Sequence, residues 1–228
     1  MIILFLVLFV LILLLILYIS ADIRSGVYIN AILQLPAKGK KIALTFDDGP
    51  HPEITPLILT VLKKYNVPAT FFCIGENIEK YKSLAERIID DGHVIGNHTH
   101  RHSYFFPFFS RRRMKEEINA CEDQIISVSP AYPPMLFRPP FGITNPSLKK
   151  ALKSSGYSVI GWSIRSYDTI LNDPVHVFKR VTKRIEPGSI ILFHDSQFYT
   201  PEIIERVIIF AQKKGYNFVR LDEKGIEN

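Results

Sequence analysis

The sequence predicts an α/β domain of parallel strands and crossover helices behind one apolar N-terminal helix. Three observations lead there. From about residue 40 onward, short apolar runs rich in β-branched and aromatic residues alternate with helix-period stretches, the pattern of strands joined by crossover helices. Met1 to Ile19 contains no charged side chain and is mostly Leu, Ile, Val and Phe. Polar, chemistry-bearing residues fall at the carboxyl ends of the strand candidates, where sites gather in parallel α/β folds.

Taken in order, residues 1–20 read as an uncleaved transmembrane anchor, because roughly 20 apolar residues in a helix span a bilayer core. A cleaved secretory signal would need a basic start, a shorter apolar core and an A-x-A-like site, of which Ser20 and Ala21 supply only the small residues. Residues 21–38 read as a connector and 39–228 as one α/β domain. Arg24, Lys38, Lys40 and Lys41 come after the span, and by charge alone such a flank stays cytoplasmic. Large domains cross largely regardless of charge, so orientation rests on function. The strand candidates are KKIALTF, PATFFCI, HVIGNH, MLFRP, YSVIGWSI, SIILFHD and NFVRL, bounded by Gly or Pro. Helices are expected near 54–65, 79–91, 110–127, 145–155, 173–185 and 200–214. Such a set closes as a barrel or stays open as a doubly wound sheet.

At 228 residues and 47% apolar, the chain suits one domain with a single buried core. A net charge of +6 permits attraction to anionic lipid or an acidic glycan, while no basic helix or stacking motif points to nucleic acid. Cys73 and Cys121 form no disulfide framework and read as buried free thiols.

TFDDGPH, residues 45–51, sets Asp47 and Asp48 side by side where the first strand candidate stops. Adjacent carboxylates disfavour each other's ionisation unless a cation or separate partners hold them. An Asp in a DG turn often just bonds its own backbone. A bound metal is the economical alternative, with Asp48 as ligand and Asp47 close enough to accept a water proton. In GNHTHRH, His98, His100 and His102 recur every second residue, while His98 and His102 also have the spacing of one helical-turn face. The i, i+4 pair with Asp48 makes a His-His-carboxylate site with open positions and sends His100 elsewhere; an i, i+2 arrangement selects different ligands. RPPFG, residues 138–142, supplies a cation at a strand end: Arg138 can orient Asp47, and the Phe141 N–H can face a developing oxyanion. SIILFHDS ends an apolar strand in His194, an imidazole suited to protonate the leaving amine of an amide, with Asp168 able to orient it.

These residues resemble the polysaccharide deacetylases of carbohydrate esterase family 4, whose catalytic unit is the NodB-homology domain. TFDDGP, HTHRH for H-[ST]-x-x-H, RPPFG for R-x-P-aromatic-G and LFH for L-x-H stand in family order across residues 42–195. The resemblance implies a distorted (β/α)7 barrel, and hydrolysis of N-acetyl groups on an amino-sugar glycan of the cell envelope or, as the alternative, deacylation of a lipid-linked saccharide intermediate; either puts the domain outside the cytoplasm. It implies Asp47 as base, His194 as acid, Arg138 as support for the base, and Asp48, His98 and His102 as ligands of a divalent metal, zinc or else cobalt or nickel. WSIRSYDT departs from the family's D-x-x-D-W: Arg165 takes the first Asp position and Thr169 the Trp position, while Asp168 matches the Asp that tunes the acid. Leu192 remains to contact an acetyl methyl, Trp162 can complete the wall, and Phe141 replaces the usual Tyr.

SYFFPFFSRRR, residues 103–113, comes directly after the histidines and fits two readings: burial beneath the loop, or contact with membrane or a lipid-linked saccharide. A catalytically weak carbohydrate-binding relative is the second functional class, opposed by the intact Asp47, Asp48, His98, His102 and His194. Phosphoryl transfer ranks last for want of a Gly-rich phosphate loop or a second acidic cluster.

Overall fold

The computed structural model describes residues 1–36, 39–130, 135–153, 155–171 and 173–222. Lys38 of the flanking cations, and 223–228 of the domain assignment, lie outside the described residues. The N-terminal helix α1, Ile2–Ala21, has no buried residue and is long and apolar enough to cross a membrane. Its last turn is tied to the domain, since Thr144 N–H donates to Ser20 O at 3.0 Å and Ser25 Oγ to Ile19 O at 2.9 Å.

Eight strands are formed among the described residues, β1 Lys41–Asp47, β2 Thr70–Cys73, β3 Val94–Asn97, β4 Leu136–Phe137, β5 Ser158–Val159, β6 Ile164–Arg165, β7 Ile190–His194 and β8 Asn217–Phe218. Every pairing between them is parallel, in the order β5-β4-β3-β2-β1-β7-β6, with β8 added to the start of β1. The crossovers are α2 Ile54–Tyr65, α3 Gly75–Lys80, α4 Lys82–Asp90, α5 Arg111–Val128, α6 Pro146–Leu152, α7 Pro174–Thr182 and α8 Thr200–Lys213. The sheet curls, yet no ladder joins β5 to β6 among the described residues, so the result is the distorted, incomplete barrel expected.

The period of two along each strand sorts the side chains. Ile42, Leu44 and Phe46 of β1, with Ile191 and Phe193 of β7, pack into one core under the helices. Ala43, Ile190 and Leu192 face a second core on the concave side with Phe72, Phe137 and Trp162. Thr45 and Asp47 share the face of Ala43, and His194 that of Leu192, so strand alternation alone turns Asp47 and His194 inward. Both cysteines are buried and free.

Two expected elements divide. YSVIGWSI, read as one strand, breaks into β5 and β6, because Ile160 O and Gly161 O turn to accept from Arg138 Nε and Nη2 at 3.2 and 2.9 Å. Gly161 also sits so close to the N-terminal segment that a Cβ there would lie 2.5 Å from Leu33 Cδ2. The stretch near 79–91 becomes α3 and α4, separated at Tyr81, whose φ of −123° and ψ of 48° leave the helical region. Residues of the 21–38 segment pack on the sheet: Ile23 and Leu35 are buried, and Ile32 bridges Ile160.

Candidate active site

Asp47 is the last residue of β1, in register with His194 at the end of β7. Adjacent strands lie about 4.8 Å apart, so these two groups are cross-strand neighbours. Asp48 then leaves the strand with φ of 77°. Its carbonyl accepts from Asn77 Nδ2 at 2.8 Å, and the next carbonyl, of Gly49, accepts from Ile74 N–H at 2.9 Å. The turn is locked against β7 as well: a Cβ on Gly49 would lie 2.1 Å from Asp195 Oδ2.

The histidine segment is a correction in form. His98 and His102 come together, with ring centroids 4.7 Å apart, but on an irregular turn after β3 rather than a helical one. Asn97 Oδ1 accepts from Thr99 N–H at 2.9 Å, Thr99 Oγ1 accepts from His102 N–H at 3.1 Å, and Thr99 and His102 take positive φ of 67° and 48°. This local side-chain bonding outcompetes the helix. Carbonyls of Thr99 and His100 accept from the otherwise unpartnered first amides of α3, Gly75 and Glu76, at 3.0 and 2.9 Å. His100 turns away and its Cα and Nδ1 press on Gly75, so the i, i+4 pair is the one presented.

Asp48, His98 and His102 each offer a ligand atom within 4.8 Å of the others. Nε2 of both histidines lies 3.5 Å from Asp48 Oδ1. The donor chemistry fits a divalent metal, because His98 Nδ1 donates to Arg138 O at 2.7 Å, which puts its proton there and leaves Nε2 as a lone pair facing Asp48. When His98 carries a second proton, on Nε2, that ring donates to Asp48 instead: burial pushes the Asp48 pKa up, but this bond and the charge of the imidazoles outweigh it and lower the pKa. Burial, helped by the charge of His98, pulls His102 down to about 4, keeping that imidazole in the neutral form a metal needs.

Arg138 is fully buried with its guanidinium engaged: Nη1 donates to Asp47 Oδ1 at 2.6 Å and to Thr45 Oγ1 at 2.9 Å. Burial lowers its pKa, against the opposing pull of Asp47. Removing one partner of such a pair costs about 3–5 kcal/mol. Across the site, His194 Nδ1 donates to Asp168 Oδ1 at 2.8 Å and His194 N–H to Asp168 Oδ2 at 2.7 Å. Burial alone would lower the His194 pKa, but the Asp168 bond and charge, with Asp47 and Asp48 beyond, carry it to about 9.

The cavity at this candidate site measures about 250 Å³, and its wall holds Asp47, Asp48, His98, His102, Phe141, Trp162, Leu192 and His194. Arg138 and Asp168 lie behind that wall. Phe141 is left-handed at φ 61° and its ring meets His102 edge-on at 4.7 Å, while the Trp162 ring presses on Gly142. Positive φ at Asp48, Thr99, His102, Phe141 and Tyr167 concentrates backbone strain around the site, about 1–3 kcal/mol per residue. The aromatic loop splits between its two readings: Phe106 and Phe109 are buried, whereas Tyr104, Phe105 and Phe108 are exposed, Tyr104 stacked on Phe141 at 5.7 Å.

Sequence reasoning missed Thr45, Ser166, Asp195 and Tyr104. Asp195 is the carboxylate next to His194, a position that strand-end counting could have flagged. It is wholly buried, receives Thr55 Oγ1, and is pushed up to about 7 chiefly by burial and then by Asp48. Ser166 Oγ donates to Asp168 Oδ1 at 2.7 Å.

Comparison with known proteins agrees with the geometry. A profile described as polysaccharide deacetylase matches residues 34–160. The chain is 33% identical over 217 residues to the peptidoglycan-N-acetylglucosamine deacetylase PgdA of Listeria monocytogenes, covering 89% of this chain and 44% of that one. It therefore spans under half the length of that relative. It is 30% identical over 192 residues to the peptidoglycan-N-acetylmuramic acid deacetylase PdaA of Bacillus subtilis, covering 82% and 72%. The crystal structure of the Bc1960 peptidoglycan N-acetylglucosamine deacetylase superposes with a TM-score of 0.76 at 34% identity, over 83% of this chain and 89% of that one. With the motif residues gathered in one cavity of a curled parallel sheet, and with that match to more than half its length, the chain belongs to the polysaccharide deacetylase family.

Proposed function

We propose that this chain hydrolyses N-acetyl groups on an amino-sugar glycan of the cell envelope, with Asp47 as base, His194 as acid and Asp48, His98 and His102 as ligands of a divalent metal. The observation that carries this reading is the opposition, in one small cavity, of an arginine-held carboxylate and an aspartate-held imidazole on either side of an Asp-His-His donor set. Zinc suits that donor set, and cobalt or nickel fit it too; bound there, the metal would lower the pKa of water and polarise the amide carbonyl.

The residues divide the remaining work. Asp47, fixed by Arg138, accepts the proton of the attacking water, and the C–O bond forms as negative charge moves to the amide oxygen. The Phe141 N–H, which has no hydrogen-bond partner among the described residues, donates to that oxygen. His194 delivers its proton to the amine nitrogen as the C–N bond breaks, and acetate leaves. Leu192 and Trp162 wall the acetyl methyl, and the Tyr104–Phe141 stack offers an apolar ledge to a sugar ring. We read α1 as a retained anchor with the domain outside the cytoplasm, where an envelope glycan is accessible. The relatives named above act on peptidoglycan by their names, which supports peptidoglycan as the polymer. A merely carbohydrate-binding role is disfavoured because the full acid, base and donor set is present.

Acetate release decides the matter. Full-length protein in detergent, loaded with zinc, is offered peptidoglycan fragments bearing N-acetylglucosamine or N-acetylmuramic acid, and chitin oligomers, beside Asp47→Asn. Release above the variant on at least one glycan is the expected result; equal release by both proteins on every glycan would sink the enzyme reading.

A further inference from the structure

Beside the catalytic cavity lies a second one of about 290 Å³ that shares Phe141, Trp162 and Arg165 with it. Four guanidinium groups line this neighbour, from Arg24, Arg165, Arg180 and Arg184, against one carboxylate, Asp22. Asp22 is already taken, since Arg24 chelates it through Nε and Nη2 at 2.9 and 2.7 Å.

The other three cations have no ion-pair partner among the described residues. Arg165 Nε is buried and lacks any hydrogen-bond acceptor among the described residues, its head held between the rings of Tyr167 and Trp162 at 5.2 and 5.7 Å. Arg180 spends Nε on Arg165 O at 2.9 Å, and Arg184 spends Nη1 on Arg180 O at 3.0 Å. The Arg180 pKa is lowered by burial and then by Arg184 and Arg165, with Tyr167 opposing. Three cations converging on a cavity without a counter-charge repel one another until an anion enters. More than one negative charge is needed for balance, and the guanidinium fork matches phosphate oxygens in pairs.

Position adds a second argument. The wall of this cavity includes Ala21 to Arg24, where α1 joins the domain. The exposed Phe105 and Phe108 belong to the same corner, because Asn145 Nδ2 donates to Pro107 O at 2.7 Å beside the Thr144–Ser20 bond. With α1 in a bilayer, aromatics, arginines and the cavity mouth sit at headgroup level. Arg165 falls on the partition between the two cavities.

We infer that the arginine cavity is an anion subsite for a phosphate or diphosphate carried by the substrate saccharide, seated there while the acetamido group enters the catalytic cavity. This deepens the deacetylase reading and rests on it for the second half. The lie of α1 favours a saccharide joined through that phosphate to a membrane lipid.

Trp162 is the sole tryptophan and lines both cavities, so its fluorescence reports binding without turnover. Full-length protein in nanodiscs is titrated with polyprenyl-diphosphate-linked N-acetylglucosamine, with N-acetylglucosamine 1-phosphate, and with neutral chitotriose. The phosphate-bearing probes should bind at least about tenfold tighter than chitotriose, and Arg180→Gln and Arg184→Gln should each weaken them about tenfold, roughly the value of one charge-assisted pair. Arg184 is exposed, so its variant carries little risk of misfolding. Tighter binding of the lipid-linked probe supports the subsite with a lipid source, and equal binding of the two supports it with a soluble sugar phosphate. Equal affinity for chitotriose, or variants that bind phosphate probes like wild type, overturns the subsite. Phosphate-dependent binding with no acetate release from the glycans or from the phosphate-bearing probes overturns the deacetylase reading alone.

Discussion

Asp47 and His194 face each other across one pair of strands, and what distinguishes them is the group behind each. Arg138 gives Asp47 a buried cation, so Asp47→Asn should lose stability by uncovering that charge yet keep the metal, while kcat for acetate release falls about 10²–10⁴-fold, checked against metal content by elemental analysis. Asp168 holds the proton on His194, whose pKa stands near 9, so an acid role predicts that kcat/KM falls as pH rises through that region. Because the Asp168 bond and charge raise that pKa, Asp168→Asn should move the alkaline limb to lower pH; a limb that stays put would exclude His194 as the acid. His93 tests the buried periphery. It accepts from Ala69 N–H, its Nε2 has no partner among the described residues, and burial pulls its pKa from 6.5 to about 4. The unfolded chain takes up a proton below 6.5 that the folded chain refuses until about 4, so stability falls as pH drops through that window, by about 3 kcal/mol. His93→Asn keeps an acceptor for Ala69, and denaturant unfolding at pH 7 and pH 4.5 should show the smaller loss in the variant. The paired acids and the i, i+4 histidines were legible because their residue types and spacing have few other uses together. Thr45 and Ser166 were not, because a hydroxyl on a strand or turn carries no chemistry until Arg138 or Asp168 is placed against it.

At the scale of elements, the histidine turn depends on its neighbours more than on itself. Gly75 opens α3 against the loop, and a Cβ there would lie 2.5 Å from His100 Nδ1 and 3.0 Å from His100 Cα. Gly75→Ala should therefore displace the turn, weakening zinc binding about 10–100-fold at a stability cost of about 1–3 kcal/mol. Competition against a chromogenic chelator reads the first and thermal unfolding of the metal-free protein the second; unchanged affinity would show that α3 does not hold the ligands. Arg101 braces the same turn, donating from Nε to Glu76 Oε1 at 3.0 Å and from its backbone to Glu117 Oε2 at 2.9 Å. β1, β2, β3 and β7 were readable because they are buried on both faces beyond Lys41 and so run as nearly continuous apolar sequence. YSVIGWSI misled because its division answers to Arg138, more than twenty residues upstream in the bonds to Ile160 and Gly161, and nothing local encodes that demand.

For the whole molecule, the reading of α1 as a retained anchor predicts that the chain stays in the membrane fraction after alkaline carbonate extraction, and that protease added to spheroplasts digests the domain. A chain released into the medium without residues 1–20 would identify a cleaved signal instead. If the anchor stays, the active site opens within reach of headgroups, since Ala21 to Arg24 wall a cavity that adjoins it. The sequence by itself determined the chemistry and the class of fold: which carboxylates and imidazoles exist, their order along the chain, and the strand-helix alternation that makes a parallel sheet and turns Asp47 inward. Only tertiary structure decided which of them meet. The register of β1 with β7 made Asp47 and His194 neighbours, left-handed turns at Asp48 and His102 aimed the donor set, and the turn after α1, β6 and the end of α7 with the residues after it brought scattered arginines to one cavity. The reason is physical: identity and period are local properties of a chain, whereas distance and counter-charge between remote residues exist only after the sheet has closed around them.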